Sequence, residues 1–155
     1  MFSEAEQKAI QEKLELLTKL KDGALSIQEL TDIITKKRVT WMTEHRDVVL
    51  AKYQGLPLEE IAWRAVCFDY MNISPPDSRI IRVSDKKIRL DSHNFCPYLE
   101  ACQQLGLDTR YICKEVGESS IQKMIEIIDP RLKFSRNYTN LRPHSDFCEE
   151  YFELL

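Results

Sequence analysis

The sequence predicts an α+β fold, with N-terminal helices followed by a small, mainly antiparallel sheet and interspersed helices. Three observations carry this. Apolar residues recur at helical spacing as far as Phe68, the period switches to alternation after Pro75-Pro76, and helix signals return from Pro97 before a second alternating stretch closes the chain. With 155 residues and 43% hydrophobic content the chain can enclose one core, so a single domain over 1–155 is expected, helical over 1–74 and α+β over 79–155.

Each element has its own signal. Ser3 with Glu6 makes a capping box, and Ile10, Leu14 and Leu17 follow on one face, so a first helix should run to about Lys21 before Asp22-Gly23 breaks it. Ser26 with Glu29 repeats the device and opens a segment without Gly or Pro before Gly55, read as one long helix or as two joined near Thr35 to Arg38. Pro57 suits the first position of a third helix, with Leu58, Ile61, Ala65 and Phe68 on one face until Asn72 to Pro76 stops it. Ile81 and Val83, then Ile88 and Leu90, alternate around Ser84-Asp85-Lys86-Lys87 and predict a β-hairpin with basic residues on its outer face.

Pro97 starts a helix that should end at Gly106. Asp108 caps a short one ending near Gly117, and Ser119 or Ser120 caps another reaching Ile128. Leu132 and Phe134 then alternate, a loop runs from Asn140 to His144, and Phe147, Tyr151 and Phe152 mark a last strand. The arginines and lysine from Arg131 to Arg142 face an acidic tail of Asp146, Glu149, Glu150 and Glu153, which favours pairing of these strands.

Bulk properties exclude several functions. Twenty-two basic residues against 25 acidic give a net charge of −3 with no long run of either sign, so general capture of nucleic acid is not supported. No apolar run approaches the roughly 20 residues needed to span a bilayer, and the first residues lack the pattern of a signal peptide. A cytoplasmic protein without membrane segments is expected. Its five cysteines then stay reduced, and five is also an odd count.

The cysteines are where chemistry could lie. Because Pro favours the first helical turn, Cys96 before Pro97 falls at an N-cap, where free backbone N–H groups and the helix dipole favour a thiolate. An ordinary buried cysteine at a strand-to-helix junction is the plainer alternative. His93 and His144 are the candidate bases, and Asp91, Glu100 or Glu115 could orient one. Either histidine could equally face water. Cys96, Cys102, Cys113 and Cys148 match no tight CxxC spacing, so zinc or an iron–sulfur cluster on Cys96, Cys113 and Cys148 is an alternative rather than an indication. Cys102 lies about 240° around an ideal helix from Cys96 and reads as core, as does Cys67. Arg136 or Arg142, turned inward, could hold a carboxylate bidentately.

The run of Phe95-Cys96-Pro97-Tyr98, Leu105-Gly106, Cys113, Asp129-Pro130 with Leu132 and Phe134, and Asp146-Phe147-Cys148 resembles the L-2-amino-thiazoline-4-carboxylic acid hydrolase family. More distantly it is similar to 4-vinyl reductase-type small-molecule-binding domains. The resemblance covers roughly Leu90 to Leu154. It implies an α+β domain with a small-molecule pocket, and the matching thiols are Cys96, Cys113 and Cys148. The chain departs from the family pattern at Glu115-Val116 and at His144.

Three functional expectations follow. The first is a small-molecule-binding protein or hydrolase-like enzyme with a cysteine-centred site for a small carboxylate. The second is a metal-binding sensor or structural module. The third is a non-catalytic interaction protein that pairs through its N-terminal helices, a homodimer among the options, with Trp41 and Trp63 as candidate anchors.

Overall fold

In the computed structural model, which describes residues 1–155, both capping boxes form as the sequence predicts. Ser3 Oγ accepts from the Glu6 N–H at 3.1 Å while the Glu6 carboxylate accepts from the Ser3 N–H at 2.9 Å. Helix α1 (Glu4–Lys21) follows, and Ser26 with Glu29 opens α2 (Ile27–Lys52) in the same way. Of the two readings of this second segment the single long helix is the one adopted. Nothing between Ser26 and Tyr53 interrupts the backbone ladder, and Leu30, Ile34, Met42 and Val49 give it one continuous buried face.

Pro57 stands at the N-cap position of α3 (Leu58–Arg64), one residue before the first helical position expected of it, and the helix runs on through a π-helical turn, Ala65–Tyr70. Strands β1 (Ser78–Ser84) and β2 (Lys87–Ser92) make the expected hairpin. Cys96 is the N-cap residue of α4 (Pro97–Leu105), and Gly106, at φ 67, closes that helix in the left-handed conformation that suits glycine. Asp108 caps α5 (Thr109–Ile112), but the helix does not stop near Gly117. A second π-helical turn, Cys113–Glu118, joins it directly to α6 (Ser119–Glu126). Ser119 and Ser120 therefore cap nothing. Ser120 is buried, and its hydroxyl bonds back to the Val116 carbonyl at 2.5 Å.

Strands β3 (Leu132–Asn137) and β4 (Cys148–Leu154) complete a four-stranded antiparallel sheet in the order β1-β2-β4-β3. The α+β fold is the one the sequence predicts. Opposite charges do pair across β3 and β4, where Lys133 lies beside Glu153 and Arg136 beside Glu150. The first hairpin differs in register from expectation. Ile80 and Arg82, not Ile81 and Val83, stand opposite the buried Leu90 and Ile88 and share their face. Arg82 on that face reaches the α3 carboxylates of Glu59 at 3.1 Å and Glu60 at 2.5 Å.

Two apolar clusters hold the chain together. The larger joins the inner face of the sheet (Ile88, Leu90, Phe134, Phe152) to α6, α3 with its π turn, and the C-terminal half of α2. The smaller joins α1 and the start of α2 to α4 and the α5 run through Leu17, Leu30, Ala101, Cys102, Ile112 and Val116. Between them lies a polar seam.

Candidate functional site

The seam gathers the residues singled out in the sequence. Cys148 begins β4 opposite Ser92 at the end of β2, so the strand that delivers Cys96 and the strand that starts at Cys148 leave the sheet side by side. Arg142 ties the two together. Its Nη1 donates to the Asn94 carbonyl at 2.6 Å, just before Cys96, and its Nε donates to Cys148 Sγ at 3.3 Å. Cys113 opens the second π turn, and its carbonyl accepts from Arg136 Nη1 at 2.9 Å.

The setting of these cysteines does not favour the thiolate at Cys96, Cys102 or Cys113. Burial pushes the Cys96 thiol up, and the N–H groups of Leu99 and Tyr98 with the nearby Arg142 only partly offset it. The helix start therefore does not produce a thiolate here, because desolvation outweighs the dipole. Burial likewise pushes Cys102 and Cys113 up to about 12, and Cys67 well above its ordinary range. Cys67 and Cys102 lie in the core, as expected.

Neither histidine serves Cys96. His93 is exposed, with its ring 6.2 Å from that of Phe147, and His144 sits at the surface with Nε2 3.5 Å from Asp108 Oδ1. No hydrogen bond joins either to a thiol. Asp91 is held by Arg89 at 2.8 Å. No group of three or more His, Cys, Asp or Glu side chains has the geometry to hold a metal ion, which overturns the zinc and iron–sulfur alternative for Cys96, Cys113 and Cys148.

The two arginines proposed for a carboxylate ligand are engaged within the chain. Arg136 does turn inward, but its carboxylate partner is Glu150, with Oε2 3.1 Å from Nη2 and 3.3 Å from Nε. Burial alone would lower its pKa; Glu150, with Cys113 and Tyr138, more than reverses that and holds the guanidinium firmly charged. Gly117 permits this packing, since a Cβ there would lie 2.9 Å from Arg136 Nη1. The Arg142 guanidinium donates to the Asn94 carbonyl and Cys148 Sγ and meets no carboxylate.

A second cation group was not singled out from the sequence. Arg38 is buried, donates to Ser120 Oγ at 3.0 Å, lies 5.9 Å from the Tyr70 ring centre, and has no partner for Nε. Lys13 stands over the Tyr98 ring at 4.7 Å, and its pKa is lowered to about 8, by burial first and then by Lys37 and Arg38. The Tyr98 hydroxyl is enclosed without a partner, and burial raises it to about 12. A signal was present: the series Leu30, Ile34, Arg38, Met42 runs at intervals of four straight through an arginine.

Elsewhere the surface is shallow. The groove of about 370 Å³ between α2 and the α5–α6 run has one hydrophobic lining residue, Ile27, among polar ones such as Asp32, Glu115 and Lys123. No helix is long and apolar enough to cross a membrane.

No protein-family model matches the sequence, and no curated protein matches it significantly. Among solved structures, the chain is similar to a trafficking protein particle complex subunit 3 from Naegleria fowleri, described as covalently bound to palmitic acid. That match has a TM-score of 0.58 at 12% identity and covers 97% of this chain and 95% of that one. At this identity the likeness is one of fold. It corrects the hydrolase-like, small-molecule reading: from end to end the chain has the fold of a protein described as a complex subunit, while burial raises the Cys96 thiol and Arg136 is answered by Glu150.

Proposed function

We propose that the chain is a non-catalytic subunit of a multi-protein assembly that serves trafficking, and that its partners are proteins rather than small molecules. One observation carries this: the structural similarity to a trafficking-complex subunit extends over 97% of this chain and 95% of the other, so it includes the N-terminal helices as well as the sheet. A catalytic reading has no comparable support, because neither His93 nor His144 is hydrogen-bonded to Cys96, whose thiol burial pushes up.

The N-terminal helices bury Ile10, Leu17, Leu30, Ile34, Met42 and Val49 in the chain's own core. Trp63 is buried, and Trp41 stacks on His45 at 4.3 Å and meets Tyr70 edge-on, so neither tryptophan is an outward anchor. On α2, however, Ile33 and Val48 remain 45% and 66% exposed. Fifteen residues apart on an α-helix, they fall within about 60° of one another and about 22 Å apart along the axis. This is the ridge through which we place the partner contact.

Light scattering combined with chemical cross-linking of the tagged chain from its native cell tests the proposal. Defined heteromeric complexes with cross-links on α2 are the expected result, weakened by Ile33→Glu or Val48→Glu. A strictly monomeric chain, free of partners at native concentration, would overturn it.

A further inference from the structure

The sheet has two edges, and the chain finishes only one of them. Along β3, Gln122 behaves like a peptide unit of an added strand: its Oε1 accepts from the Phe134 N–H at 2.8 Å and its Nε2 donates to the Leu132 carbonyl at 2.9 Å. Glu118 Oε1 accepts from the next outward amide, Arg136 N–H, at 3.2 Å. No strand can add there.

Along β1 the only such contact is at the turn, where Arg82 Nη1 donates to the Ser84 carbonyl at 2.9 Å. From Arg79 to Val83 no backbone group bonds outside the pairing with β2. Half of the backbone groups of an edge strand point away from its neighbour and form a template for another chain. Ile80 and Val83, at 36% and 52% exposure, leave apolar surface beside that template.

Charge decides what can use it. The strand reads Ser-Arg-Ile-Ile-Arg-Val-Ser, with two arginines and no acid, and Arg79 forms no ion pair. Glu59 and Glu60 already hold Arg82, so self-pairing of β1 is opposed chiefly by the unpaired Arg79 of each copy, in any register that sets it beside a cation of the other strand. The irregularity between Arg82 and Ser84 also shortens the regular stretch available to a long zipper. Both features oppose a second copy and leave Ser78–Arg82 open to an extended segment of opposite charge.

We propose that this edge accepts an added strand from a partner protein, an extended segment with a carboxylate facing Arg79 on one face and an apolar residue beside Ile80 on the other. Main-chain bonds supply the attachment and the alternate side chains the selectivity. The inference rests on the subunit reading above and gives one partner contact a chemistry and a place.

The test uses the full chain, isotope-labelled, with a capped peptide of alternating valine and glutamate and a valine–lysine counterpart. Amide shift changes and slowed exchange confined to Ser78–Arg82 are expected with the acidic peptide only. Arg79→Gln should weaken binding several-fold and Arg79→Glu should transfer the preference to the basic peptide, with circular dichroism confirming the fold of each variant. An edge that stays silent at millimolar acidic peptide, equal binding of both peptides, or protection along Leu132–Asn137 instead would overturn the proposal. Cross-links on α2 with a silent β1 edge would overturn this inference alone and leave the subunit reading standing.

Discussion

Two arginines lie inside this molecule, and they are treated differently. Arg136, on β3, meets the carboxylate of Glu150 across the strand pair and the Cys113 carbonyl, and a glycine at position 117 makes room for it. Arg38, on α2, is just as enclosed but meets only neutral groups, Ser120 Oγ and the Gly117 carbonyl at 3.5 Å, and shares its surroundings with a second cation, Lys13. One guanidinium is part of a closed pair and the other is a buried charge with no counter-ion. The difference teaches that burial alone does not tell how much a charged residue contributes. What its removal leaves behind does.

The largest effect should therefore come from Arg136→Met. It strands Glu150, a largely buried carboxylate left with only the Ser92 hydroxyl at 3.1 Å. Loss of one member of a buried pair costs about 3–5 kcal/mol, measurable as a lower urea midpoint. The double variant Arg136→Met with Glu150→Leu should recover most of that loss, and failure to recover it would break the account of Arg136 as half of a pair.

Gly117→Ala should come next. The new Cβ would stand 2.9 Å from Arg136 Nη1, which donates to the Cys113 carbonyl in a guanidinium whose Nε and Nη2 are held by Glu150, so it cannot simply swing aside. Overpacking of this kind costs about 1–3 kcal/mol. The same substitution with Arg136→Met should cost much less than the sum of the two, because the clash is with that side chain.

Alkaline pH separates the thiols of the seam from its cations. Burial keeps Cys102 and Cys113 protonated up to about 12 in the folded chain, whereas the unfolded thiols ionise near their ordinary value of about 9. Between these values the folded state holds more protons. Stability is thus complete below about pH 9 and falls as pH rises toward 12, by about 1.4 kcal/mol per pH unit for each thiol. Urea titrations at pH 8, 9.5 and 11 should show the decline, and Cys113→Ala should make it shallower by one thiol's share, about 1.4 kcal/mol per pH unit.

How much of this could be read from the sequence depends on the range of the interaction. The two capping boxes, the Asp108 cap and the Gly106 stop lie within a few residues of the groups they satisfy, and each forms as read. The β1 register was read one residue off because Ile80, Ile81 and Val83 put apolar side chains on both faces. Only the ion pairs of Arg82 with Glu59 and Glu60, more than twenty positions away, show which face is inward. Ser119 and Ser120 look like caps locally, yet a π turn carries the helix past them and Ser120 meets Arg38 from α2.

Cys96 was placed correctly at a helix start. The sequence does not show how much chain covers it, and that cover reverses the expected thiolate. The β3 edge is sealed by Gln122 and Glu118, both on the helical run before it, and only the folded arrangement distinguishes it from β1.

The smallest effect is expected at Arg38, and it is the sharpest test of the comparison. Arg38→Met removes a buried charge that has no carboxylate to strand. Its main acceptor, Ser120 Oγ, stays bonded to the Val116 and Gly117 carbonyls. The lost hydrogen bond, worth about 1 kcal/mol, is set against the relief of desolvation and of repulsion from Lys13, so the net change should stay within about 1 kcal/mol of zero. The relief has its own readout. With Arg38 gone, the Lys13 amine, held down to about 8 by burial and its cationic neighbours, should titrate at higher pH in an NMR measurement of its side chain. A stability loss as large as that of Arg136→Met, with Lys13 unmoved, would mean that Arg38 has a partner of its own, and the contrast between the two arginines would fail.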